Sequence, residues 1–140
     1  MSLIELAQGE ILYDRNFRYP GSTNTCDKLL LVLNRAHAVL DDVIVVPCTS
    51  GADTSSLTGG CNEAEKVFYV DKKIGYYDPP TVVQFDFITH LDGEAIVDWI
   101  DKGYVQRQDK KLSDQELGQI LNCLKRMKVD IPTIYYGLIF

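Results

Sequence analysis

The sequence predicts a mainly β, α+β domain: a small, strongly bent antiparallel sheet or open barrel, with a late C-terminal helix against it. Three observations predict this. Residues 29–33 (LLLVL) and 43–46 (VIVV) are apolar without alternation and bounded by polar residues, the form of strands buried on both faces. Shorter runs at 9–13 (GEILY), 67–71 (VFYVD) and 81–89 (TVVQFDFIT) carry the β-branched and aromatic residues that strands favour. Only residues 113–127 show an unambiguous helical spacing.

Taken in order, the first strand opens at Gly9. Residues 14–28 (DRNFRYPGSTNTCDK) then read as a long loop, with Pro20-Gly21 and several small polar residues. Two strands follow at 29–34 and 42–47, antiparallel neighbours. The second stops at Pro47-Cys48-Thr49-Ser50-Gly51, which delivers two hydroxyls to one rim of the sheet. A second polar, glycine-rich loop covers 51–65, a strand 67–71 and a turn 75–80. Residues 81–89 are expected as one strand, and 95–104 as a short helix or a connector around Trp99. Ser113 and Glu116 form the capping-box pattern of the final helix, with Leu112 and Leu117 as its hydrophobic staple. Leu117, Ile120, Leu121, Leu124 and Met127 make its core stripe. Residues 131–140 (IPTIYYGLIF) form an apolar tail that must pack on this domain or a partner.

Composition sets the outer bounds. The chain has 140 residues, 46% hydrophobic and 24% charged, which fits one domain over residues 1–140, with 129–140 as an additional apolar segment. No apolar run approaches the ~20 residues of a membrane span, so no membrane partner is expected. The first ten residues lack the basic region of a secretory leader. Cys26, Cys48, Cys61 and Cys123 are scattered without a C-x-x-C pair, which reads as reduced thiols in a cytoplasmic protein, with no metal site and no cofactor. A net charge of −6 argues against a nucleic-acid partner, and no DNA is expected, although residues 107–128 hold six Lys/Arg against three Asp/Glu.

Several motifs, in order and spacing, resemble the PemK/MazF-like toxin family: GEILY at 9–13, a long loop, KLLLVLN at 28–34, VIVVPCTS at 43–50, VVQFDFITHL at 82–91 and KLSDQEL before the last helix. Together they span about residues 9–128. The resemblance implies an SH3-like barrel, usually a homodimer, acting in a toxin–antitoxin pair. Its activity would be metal-independent cleavage of single-stranded RNA, inhibited by an antitoxin protein. In that family the second strand is typically entered by an Arg-Pro pair, the Arg contacting the scissile phosphate; here the entry is Lys28-Leu29. The hydroxyl at the end of the next strand is matched by Thr49.

Such cleavage needs a cation or donors on the phosphate and a group that takes the 2′-OH proton. Lys28 and Thr49 are the catalytic candidates, Lys28 as a point charge without the planar fork of Arg. Arg15, Arg18, Tyr19, Ser50 and His90 are the substrate-binding candidates. Tyr13, Phe17 and Tyr19 interleave with Arg15 and Arg18, a composition suited to unpaired bases. His37 and His90 are the two histidines, and Asp86 between Phe85 and Phe87 is a further base candidate. Each also has a plain role: strand-flanking charge, turn hydroxyl, surface ion pair or core ring. Two other readings therefore stay open: a catalytically silent relative serving as a binding module, and an unrelated small barrel holding an acidic or neutral ligand at the same rim. The tail is expected either to dock on its own sheet or to close over the groove.

Overall fold

The computed structural model describes residues 4–19, 21–49, 54–71, 81–109, 112–127 and 131–140. Ten strands and three helices are found there: β1 Ile4–Leu6, β2 Ile11–Phe17, β3 Cys26–Val32, β4 Ala36–Ala38, β5 Val43–Thr49, β6 Gly60–Asn62, β7 Val67–Val70, β8 Thr81–Gln84, β9 Thr89–Leu91 and β10 Val105–Arg107, with α1 Gly93–Asp101, α2 Asp114–Arg126 and α3 Thr133–Ile139. All pairings are antiparallel. The main sheet runs β10-β2-β3-β5-β8-β7-β6, with β9 also on β5, and β1 pairs β4 in a separate two-stranded sheet. The path is open at β10 and β6, and no closed barrel forms among the described residues.

Strands β3 and β5 read as unbroken apolar runs because both faces of the sheet are covered. One core joins Leu31, Ile44 and Val46 to Leu117, Ile120 and Leu124 of α2 and Ile139 of α3. The other joins Leu12, Leu30, Val43 and Val45 to Ile96 and Val97 of α1, Leu6 of β1 and Val105 of β10. Ile120 and Leu124 have no exposed surface, and truncating either to Ala should cost roughly 2–5 kcal/mol.

Strand β5 takes two partners along one edge. Its first part, Val43–Val45, pairs with β9, and its end, Cys48-Thr49, pairs with β8. Between β8 and β9 the chain makes a 3-10 turn over Phe85–Phe87, so the single strand expected at 81–89 is two strands with a corner. Pro47 sits opposite that corner, where its missing N–H breaks no ladder bond. Asn34 closes the other end: its buried amide accepts from Ile44 N–H at 2.8 Å and donates to the Asp42 carbonyl at 3.0 Å.

Several expectations are corrected. The strand opening at Gly9 does not stop at Tyr13: β2 continues to Phe17, and β3 starts at Cys26, which shortens the loop between them. A bulge between Asp14 and Phe17 absorbs the polar residues that had hidden this extension. Of residues 95–104, expected as a short helix or a connector, 95–101 lie in helix α1, and its first residue, Gly93, is fixed by close packing. A Cβ there would fall 2.5 Å from the Asp41 carbonyl oxygen and 2.6 Å from the Val39 nitrogen. Cys61 and Cys123 are not thiols but a disulfide, joining β6 to α2 across 62 residues with Cα atoms 5.4 Å apart. The expected turn at 75–80 lies outside the described residues.

Helix α2 is as expected. Ser113 Oγ accepts from Glu116 N–H at 3.1 Å, and Glu116 Oε1 accepts from Ser113 N–H at 2.9 Å. The apolar tail forms α3, which docks on its own sheet through Ile131 and Ile139. Gln8 donates to the Ile139 carbonyl at 3.1 Å and to the Leu33 carbonyl at 2.7 Å, tying α3 to β3's end.

Candidate functional site

Antiparallel register brings Lys28 and Thr49 together. Leu29 opposes Cys48, so the preceding residue of β3 meets the following residue of β5 on the same face. Lys28 Nζ donates to Thr49 Oγ1 at 3.1 Å and stands 5.6 Å from the centre of the Tyr19 ring. Tyr19 is held edge-on between Phe17, at 5.1 Å, and Phe87 of the 3-10 turn, at 4.8 Å. Its hydroxyl donates to Gln84 Oε1 at 2.8 Å. Lys28, Thr49, Tyr19, Gln84 and Phe87 are all half-buried. The cluster is thus one cation from β3, one hydroxyl from β5 and one ring from the loop after β2, braced by Gln84 of β8 and Phe87 of the corner.

A cleft of about 420 Å³ adjoins it, lined by Asp14, Phe17, Arg18, Leu91, Trp99 and Tyr104, among others. Phe17, Tyr19 and Trp99 pack on the same core, which places cluster and cleft on the α1 face of the sheet. Asp14 is the central group. It opposes Lys28 on β3 and Val105 on β10, and only 6% of its surface is exposed. Its Oδ1 accepts from Asn16 N–H at 2.9 Å, while Oδ2 has no hydrogen-bond partner among the described residues. Burial pushes the Asp14 carboxyl above the usual aspartate range; the Asn16 N–H works against this, and the charge of Asp27 adds to it. Asp27 itself accepts from the Tyr13 hydroxyl at 2.7 Å and so raises the Tyr13 phenol.

The remaining candidates divide. Arg18 is exposed and lines the cleft. Arg15 is exposed beside Tyr13; its backbone N–H donates to the Tyr104 carbonyl at 3.1 Å. His90 opposes Ile44, on the α2–α3 side of the sheet, and its Nδ1 lies 2.6 Å from the Tyr135 hydroxyl of α3. It is therefore not brought to Lys28 and Thr49. His37 sits on β4 beside Glu5, remote from both. Asp86 is exposed in the 3-10 turn, 3.8 Å from Lys66. Ser50 lies outside the described residues. Helix α3 packs on the face opposite the cluster and does not close over it.

Asp14, Gln84, Phe87 and Trp99 were not among the sequence candidates. Asp14 carried one signal: it is two residues from Leu12, so strand alternation turns it to the same buried face. Among the described residues no three His, Cys, Asp or Glu converge as metal ligands, and no helix is long and apolar enough to cross a membrane. No protein-family model and no curated protein sequence matches the chain.

Proposed function

We propose that the α1 face binds single-stranded RNA and that the Lys28–Thr49 pair holds the scissile phosphate of a metal-independent endoribonuclease. The observation that carries this reading is the 3.1 Å contact between Lys28 Nζ and Thr49 Oγ1 beside the Tyr19 ring. A cation and a hydroxyl fixed on one sheet face can grip a phosphate, and a neighbouring ring can stack an unpaired base.

Water at the open rim takes the 2′-OH proton, the 2′-oxygen bonds to phosphorus, and the bond from phosphorus to the 5′-oxygen breaks. Water at the open rim protonates the leaving 5′-oxygen, giving a 2′,3′-cyclic phosphate and a 5′-hydroxyl. Lys28 and Thr49 stabilise the charge that develops on the phosphoryl oxygens.

This reading goes with the PemK/MazF-like resemblance and with its SH3-like barrel. The corner between β8 and β9, both paired to β5, supports that architecture. It also carries a homodimer, an antitoxin partner and a cytoplasmic location, where a bond such as Cys61–Cys123 is the exception. The silent-relative reading is favoured by one observation: Lys28 replaces the bidentate Arg, and its ammonium already engages Tyr19 and Thr49.

Purified protein incubated with mixed-sequence single-stranded RNA in excess EDTA separates them. Specific cuts that fall about 100-fold in Lys28→Ala and in Thr49→Val support the nuclease. RNA bound but uncut supports the silent relative. RNA neither bound nor cut overturns the nuclease and the RNA-binding face, and leaves the silent relative as a protein- or ligand-binding module.

A further inference from the structure

The cleft beside the cluster has a chemical polarity of its own. Its buried carboxyl, Asp14, keeps Oδ2 without a hydrogen-bond partner among the described residues, in a wall of Phe17, Leu91 and Trp99. Leaving a buried acceptor unmatched is costly, so the site favours a ligand that brings N–H donors. A carboxylate offers two acceptors side by side. Among the nucleobases, guanine alone presents two adjacent donors, N1–H and the 2-amino group, on its Watson–Crick edge. Adenine and cytosine each offer one amino donor beside acceptors there, and uracil offers one N–H between two acceptors. The aromatic wall and the volume of about 420 Å³ suit a flat heterocycle.

The rim selects between ligands that share those donors. An arginine side chain from a protein partner could also pair with Asp14, but it would bring a positive charge past Arg18 and next to Lys28. A nucleotide carries negative charge at its other end, toward Arg18 on the cleft wall. We propose that this cleft is a guanine pocket, with the Asp14 carboxylate accepting from N1–H and the 2-amino group, the ring against Trp99, and the phosphate toward Arg18. The proposal deepens the RNA reading and rests on it for the strand beyond the pocket, yet the pocket can be tested alone.

Trp99 is the only tryptophan in the chain and reports on the cleft. Titrating the full-length protein with GMP should quench its fluorescence saturably. IMP, which lacks the 2-amino group, should bind at least about tenfold more weakly. AMP, CMP and UMP should give no saturable change at the same concentrations. Asp14→Asn should lose the GMP response while keeping a cooperative melt, and Arg18→Ala should weaken GMP but not guanosine. Equal responses to GMP and AMP, or none to GMP in folded wild-type protein, overturn the pocket. So does Asp14-dependent binding of N-acetylarginine amide in place of GMP, which would make this a protein-docking site. The nucleotide comparison uses the wild-type chain, so it decides even if Asp14→Asn misfolds. GMP binding without RNA cleavage leaves the pocket standing and the nuclease fallen; cleavage without GMP binding does the reverse.

Discussion

Asp14 and Lys28 face each other across β2 and β3, yet no ion pair joins them among the described residues. Lys28 turns to Thr49 and Tyr19, while Asp14 stays in the cleft with Asn16. Two opposite charges held apart on neighbouring strands are each left with capacity for an outside group. That separation defines the site.

The first prediction concerns Asp14 itself. Burial raises its folded-state pKa, so the folded chain holds this proton more tightly than the unfolded chain does. The stability gained from protonated Asp14 is complete below the unfolded value, about 3.9, and is lost as pH rises through the folded value. Asp14→Asn stays neutral and can still accept from Asn16. Urea denaturation should find it close to wild type near pH 3 and more stable than wild type at pH 7; a variant less stable at pH 7 would contradict this.

The second separates the ring of Tyr19 from its hydroxyl. Tyr19→Phe keeps the packing on Phe17, Phe87 and Lys28 and loses only the bond to Gln84, for about 0.5–1.5 kcal/mol. Tyr19→Ala removes the stacking surface as well and should weaken RNA binding roughly 5- to 100-fold. Fluorescence anisotropy with a labelled oligonucleotide distinguishes the two.

The third concerns the disulfide. Cys61–Cys123 closes a loop across 62 residues, and reducing it should lower stability by roughly 2–4 kcal/mol. Urea midpoints with and without dithiothreitol measure this. An unchanged midpoint would mean that the bond does not restrain the unfolded chain.

The fourth concerns the tail. Ile139 is 7% exposed in the α2-side core, so Ile139→Ala should cost roughly 2–4 kcal/mol. Because α3 lies on the face opposite Lys28, the variant should bind RNA as wild type does once folded. Tighter binding on loss of the α3 anchor would show that the tail covers the groove after all.

What the sequence disclosed follows from how local each signal is. Strands β3 and β5 and helix α2 were legible because an apolar run and a capping box are written in consecutive residues. Strands β1, β4 and β10 were not, since three residues carry no periodicity. The polar Asp14-Arg15-Asn16 masked the rest of β2, whose buried side is set by β10 and α1, some 80 to 90 residues away. The Lys28–Thr49 contact was within reach because both residues terminate legible strands. The cleft was not, because Trp99 and Tyr104 meet Asp14 only through the tertiary fold. The disulfide escaped for the same reason.

Strand β5 carries one more consequence. From Val43 to Thr49 it is flanked by β3 on one edge and by β9 and then β8 on the other. Its amides should be the last in the chain to exchange with deuterated water, opening only when the whole domain unfolds. Thr49 ends that strand, whereas Arg18 stands on an exposed loop. One half of the binding face would then be as permanent as the fold, and the other half free to adapt to what it holds.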